Sequence, residues 1–132
     1  MSKVVLKNTH SKSVVKIVSE DAATIAPADL AYTVTVESGE SDFGGVGSKG
    51  TATRVQTPTH LEISKVIFSQ AGTEHIEVKR GADVVMEIGG TGEIDFEGMV
   101  CENESSNLPI DVVTSVAGHH YTAYFFINKI GG

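Results

Sequence analysis

The stretch Tyr121-Thr122-Ala123-Tyr124-Phe125-Phe126-Ile127-Asn128-Lys129-Ile130 decides how this chain is read. On an extended backbone Tyr121, Ala123, Phe125 and Ile127 fall on one side, and Tyr124 and Phe126 on the other. Apolar residues on both sides predict a strand that is either central in a sandwich or buried against another chain. The same period of two recurs upstream. Tyr32, Val34 and Val36 alternate with Thr33, Thr35 and Glu37, which predicts one face on the core and one in water. Ile76 and Val78, then Val84, Met86 and Ile88, flank Arg80-Gly81-Ala82-Asp83, a short glycine-containing connection suited to a hairpin. Ile94 with Phe96, and Ile110 with Val112 and Val116, supply further strands. Helical periodicity is scarce, and Ala22 to Leu30, with Pro27 as an early helical residue, is the one plausible helical turn. The expected fold is all-β: an antiparallel β-sandwich, jelly-roll-like, or a small β-barrel.

Composition sets the class of object. A chain of 132 residues, 40% hydrophobic and 20% charged, has the makings of a single folded domain over residues 1–132, too small for two lobes with a cleft between them. A formal charge of -7 is the wrong sign for gripping nucleic acid through its phosphates. No apolar run approaches the ~20 residues that span a bilayer, and the first residues lack the apolar core of a signal peptide. The expectation is synthesis in a cytoplasm, with neither membrane nor nucleic acid as partner. The single cysteine, Cys101, has no intrachain partner, and the acids around it disfavour its thiolate. Without a secretory signal, Asn103-Glu104-Ser105 is a glycosylation sequon in letters only.

Charge and glycine are unevenly distributed. Residues 38–50 hold five glycines and too few apolar groups to anchor them, which predicts a long flexible loop able to contact a ligand or a neighbour. Lys3, Lys7, Lys12 and Lys16 face only Glu20 in the first twenty residues, whereas Asp83 to Asp111 holds eight acids and no Lys or Arg. A solvated mixture of polar faces accounts for this. The sharper reading makes the basic start a docking segment for an acidic surface, with the acidic region held outward or against a neighbouring copy.

Motifs for chemistry are thin. Gly45, Gly47 and Gly50 match G-x-G-x-x-G, but Thr51 to Val55 reads as a strand where a phosphate-binding helix should begin, and Thr51 stands where a P-loop needs lysine. In Glu93-Ile94-Asp95-Phe96-Glu97 the three acids share one face of a strand, about 6.5 to 7 Å between alternates. Glu93 and Glu97 would then flank a sugar bond as nucleophile and acid. Those five letters resemble the catalytic strand of laminarinase and lichenase-type β-glucanases. The chain has no Trp and three Tyr to line a sugar cleft, so the preferred reading turns Ile94 and Phe96 inward and leaves three solvated acids outside. His119 and His120 are adjacent, and in a strand they point to opposite faces. With His10, His60 and His75 far apart in sequence, no metal or other cofactor is expected.

Three further stretches resemble one family as a set. They are Val4-Val5-Leu6-Lys7-Asn8-Thr9-His10-Ser11-Lys12, then Ile63-Ser64-Lys65-Val66-Ile67-Phe68, then Ile76 to Gly81 continuing to Gly89-Gly90-Thr91-Gly92-Glu93-Ile94-Asp95-Phe96. Together they look like small virion structural proteins of tailed phages, particularly phages of marine bacteria and cyanobacteria. The resemblance implies a β-sandwich present in many copies on the particle. Combined with the adhesive features above, it leads to the expectation of a capsid decoration, or cement, protein on the outside of the head. Its partners would be the major capsid protein or other virion subunits, and it would form a symmetric homo-oligomer, by preference a trimer. Lys3, Lys7, Lys12, Lys16, Tyr124 and Phe126 are the candidate interface residues. Lys3 to Val18 is read as one shell-facing strand, and residues 1–12 as a docking arm that can be removed without unfolding the domain. A tail, neck or fibre component, a glycan-binding module and a glucanase-like enzyme are the alternatives.

Overall fold

The computed structural model describes residues 2–19, 22–37, 51–70, 75–96, 107–114 and 120–131. These form the strands β1 (Ser2–Asn8), β2 (Lys12–Ser19), β3 (Ala23–Ile25), β4 (Tyr32–Glu37), β5 (Thr51–Gln56), β6 (His60–Gln70), β7 (Ile76–Arg80), β8 (Asp83–Ile88), β9 (Thr91–Asp95), β10 (Ile110–Thr114) and β11 (Tyr121–Ile130). Glu97, Cys101, the sequon, Val116, His119 and the glycine-rich segment 38–50 lie outside the described residues.

Among the described residues every strand pairing is antiparallel. One sheet has the order β1-β2-β11-β6-β9, a second the order β3-β10-β7-β8, and β4 with β5 makes a two-stranded ribbon. Neither sheet closes on itself, so the fold is an all-β sandwich and not a barrel. Its core lies between the two sheets: Val15, Ile17, Ile63, Val66, Phe125 and Ile127 from the first meet Ile25, Ile76, Val78, Ile88, Ile110 and Val112 from the second. Burying a Phe or Ile side chain of this kind stabilises the fold by roughly 1.5 to 3 kcal/mol each.

β11 is the central strand of its sheet, hydrogen-bonded to β2 along one edge and to β6 along the other. Its Tyr121, Ala123, Phe125 and Ile127 are buried, as the alternation predicts. The β7–β8 hairpin also forms as read. Arg80 and Asp83 close it, and Gly81 takes φ 64°, the left-handed conformation that two-residue hairpin turns demand at this position. A Cβ on Gly81 would stand 2.8 Å from Leu108 Cδ1.

Two local readings are corrected. Lys3 to Val18 is a hairpin rather than one strand, because Thr9 turns the chain: its N–H and hydroxyl both donate to Lys12 O, at 2.8 and 3.0 Å. Ala22 to Leu30 splits into the short strand β3 and a 3-10 turn, Pro27–Leu30, with Pro27 at its start as expected. Asp29 accepts from Ala26 N–H at 2.8 Å across that turn, and Leu30 drops into the core. Among the described residues β4 pairs with β5 alone, and its alternation follows the reading: Tyr32 is buried, Thr33 exposed and Val34 half-buried, opposite the exposed Arg54.

Among the described residues two cations are buried inside the sandwich. Arg80, fully enclosed, donates from Nη2 to Leu61 O and to Leu108 O, each at 2.8 Å, tying β6 to the β7–β8 turn. Lys129 donates from Nζ to Leu30 O at 3.0 Å and lies 4.5 Å from the centre of the Tyr32 ring. Burial pushes the Lys129 amine below the usual lysine range.

Candidate interaction surface

Pairing register assigns each candidate residue to a face. In β2 the buried residues are Ser13, Val15, Ile17 and Ser19, which leaves Lys12, Val14, Lys16 and Val18 pointing away from the core. In β11 the outward set is Thr122, Tyr124, Phe126 and Asn128. Tyr124 pairs with Lys16 on one side and Ile67 on the other, while Phe126 pairs with Val14 and Lys65. Outward residues of adjacent strands thus stand in rows. One row reads Val4, Lys16, Tyr124, Ile67, Glu93; the next reads Lys7, Val14, Phe126, Lys65, Asp95.

Five of the six expected interface residues, Lys7, Lys12, Lys16, Tyr124 and Phe126, therefore share the outer face of one sheet. Lys3 does not. A β-bulge between Val5 and Lys7 reverses the alternation, so Lys3 pairs with the buried Ile17 while Lys7 pairs with the outward Val14. The Lys3 amine crosses to β3 of the other sheet and to the 3-10 turn after it, donating to Thr24 O and to Asp29 Oδ2, both at 2.8 Å. Burial works to raise the Asp29 carboxyl, but the bonds from Lys3 and Ala26 outweigh it and hold the group below the usual aspartate range.

The outer face is aromatic in its centre and charged at its flanks. Tyr124 and Phe126 are half-buried beneath amines: Lys16 Nζ lies 5.9 Å from the Tyr124 ring centre and Lys65 Nζ 5.2 Å from that of Phe126. The ring faces carry partial negative charge and so attract these amines. The sequence did not single out Lys65, Val14 or Ile67 as members of this surface, because nothing in the letters says which strands lie beside β11. Beside Phe126 the face carries a depression of about 260 Å³, lined by Lys7, Lys12, Val14, Ser64 and Asn128.

Next to this face the edge strand β1 exposes a run of apolar residues: Val4 at 44%, Val5 at 38% and Leu6 at 53%. Among the described strands β1 pairs with β2 alone, so its far edge offers backbone groups to an incoming strand. Residues 2–8 are thus an integral strand. Asn8, at the exposed end of β1, bonds three neighbours: its Oδ1 accepts from Lys129 Nζ at 2.5 Å and from Ser13 Oγ at 2.6 Å, and its Nδ2 donates to Ala31 O at 2.9 Å.

The acid-rich strand β9 lies at the opposite edge of the same sheet. Ile94 and Phe96 pack against the core, while Glu93 and Asp95 are exposed. Glu93 Oε2 is 2.8 Å from Lys65 Nζ, a bond that raises the Lys65 amine above its ordinary value. The described histidines are dispersed. His10 meets Tyr32 edge-on at 5.2 Å, and His60 Nδ1 is 2.9 Å from Thr59 Oγ1. His75, with Glu77 and Glu87 from a directly opposed pair on β7 and β8, brings three possible metal-ligand atoms within 4.8 Å of one another. That cluster was invisible in sequence because Glu77 and Glu87 meet only through pairing. Its His75 and Glu87 are more than half exposed, an ordinary arrangement for a solvated sheet face.

No protein family, curated protein or solved structure matches the chain.

Proposed function

We propose that the chain is a virion structural protein, a capsid decoration protein that attaches to the outside of a phage head and adds contacts between shell subunits. The observation that carries this reading is the exposed apolar edge of β1, with Val4, Val5 and Leu6 presented beside a strand edge open to pairing. Strand addition would supply backbone hydrogen bonds, and apolar side chains would supply the buried area. Lys7 and the bulge at Leu6 restrict how a foreign strand can align, which favours one matched, acidic partner over indiscriminate edge pairing. The resemblance of the Val4–Lys12, Ile63–Phe68 and Ile76–Phe96 stretches to phage virion proteins supplies the particle. The mechanism is additive: many weak contacts, repeated over the shell, oppose its expansion.

The test is a chain lacking residues 2–6, which keeps Asn8 for Lys129. Mixed with undecorated heads and sedimented, the full chain co-sediments, and the shortened chain, which loses the β1 edge strand but retains most of its β-sheet circular dichroism, stays in the supernatant. A folded, shortened chain that still coats heads would refute the assignment of β1 as the docking element.

A further inference from the structure

The outer face of the β1-β2-β11-β6-β9 sheet is ordered by charge. Lys7, Lys12 and Lys16 stand on β1 and β2, Tyr124 and Phe126 on the central β11, and Glu62, Glu93 and Asp95 on β6 and β9. Lys65, the one basic residue among these acids, is already bonded to Glu93. We infer that this face binds a second copy of the chain, about a two-fold axis running along β11.

Register makes the fit specific. Rotation about an axis along β11 lays β2 of each copy over β6 of the other, and β1 over β9. Asn128 pairs with Lys12 on one side and Glu62 on the other, so in the dimer Lys12 faces Glu62 of the second copy. In the row through Phe126, Lys7 faces Asp95 of the second copy by the same symmetry. Tyr124 and Phe126 meet their own counterparts at the axis, as self-complementary contacts require. A two-fold axis across the strands would set lysine on lysine and acid on acid, which the charge order forbids. A wholly acidic partner would oppose Glu62, Glu93 and Asp95, and a wholly basic one would oppose the lysines. Only a surface with both ends matches, and the chain itself carries it.

The size of the face fixes the strength. Five strands ~4.8 Å apart and about seven residues at ~3.4 Å each give roughly 500 Å² per copy, or about 1,000 Å² in total. That is the lower limit for a specific interface, so the dimer is reversible and concentration-dependent. Rim charges of this kind are screened by salt, and the dimer weakens as salt is added.

The idea rests on reading this sheet as adhesive but needs no particle, so it is tested on the free chain. Equilibrium sedimentation of the full chain from micromolar to millimolar concentration should show a dimer. Lys12→Glu alone and Glu62→Lys alone each place like charges across the axis twice and should raise the dimer dissociation constant at least tenfold. Mixed in equal amounts, the two variants should form a heterodimer. The glutamate introduced at position 12 of one copy then meets the lysine introduced at position 62 of the other, and the native Lys12 and Glu62 meet at the second contact. Both variants remain net negative, so gross attraction between them does not produce that rescue. A wild-type chain that stays monomeric throughout, single variants that dimerise like wild type, or a mixture without rescue would each overturn the inference. A full-length wild-type chain that dimerises but does not bind heads would instead count against the decoration reading alone.

Discussion

Lys129 Nζ lies 2.5 Å from Asn8 Oδ1, joining the last strand of the described chain to the first. The contact holds the β1–β2 turn against the 3-10 turn, whose Leu30 O accepts from the same amine, and Tyr32 covers it with its ring. An ammonium in this place is costly to bury and more costly to leave unpartnered. Its partners are therefore neutral oxygens and an aromatic face, and Asn8 Oδ1 also accepts from Ser13 Oγ.

Replacing Lys129 with Met keeps the volume and removes the donor. Leu30 O then loses this bond, and the expected loss of stability is ~1 to 3 kcal/mol, read by chemical denaturation at neutral pH. The pH dependence carries a sign. The folded amine has its pKa lowered from 10.5, so the unfolded chain binds more protons as pH approaches that value. The stability of wild type relative to Lys129→Met should rise through that alkaline window and level off above it.

Phe125 and Phe126 are neighbours on one strand with opposite fates. Phe125 is fully buried between the sheets, whereas Phe126 is half-buried on the outer face. Phe125→Ala should cost ~3 to 5 kcal/mol of unfolding free energy, and Phe126→Ala well below that. Equal costs in urea titrations would contradict the sandwich as described.

How far the letters reach is clear at particular residues. The Gly81 hairpin and the buried set of β11 were legible, because a two-residue turn and a period of two are both local. Lys3 and Lys7, four apart, should share a face by alternation; they do not, because the bulge at Leu6 has no local signature. Arg80 reads as a turn residue, yet its guanidinium is enclosed, since its carbonyl partners come from β6 and from Leu108, distant in sequence. The outer surface followed the same rule. Its centre on β11 was legible, but Lys65 and Glu62 joined it only once β6 was known to lie beside β11.

Gly81 tests the hairpin directly. With φ at 64° and Leu108 Cδ1 at 2.8 Å from the site of a Cβ, Gly81→Ala meets both backbone strain and a clash. The expected loss is about 1 to 3 kcal/mol, measured as a lowered midpoint in denaturant.

Glu93 bears on enzymatic activity. It sits on an exposed strand, bonded to Lys65, and such solvent-screened surface pairs add little to stability. Glu93→Gln should leave stability nearly unchanged, and neither it nor wild type should release reducing sugar from a β-glucan. Hydrolysis by wild type that vanishes in Glu93→Gln would restore the glucanase reading.

The most direct measurement is the position of this chain in an intact particle, by electron cryomicroscopy. Density for the sandwich in many copies on the outside of the head, with the β1 edge turned toward the shell, is the result expected. Density at the tail in a few copies, or a particle that lacks the chain altogether, would contradict it.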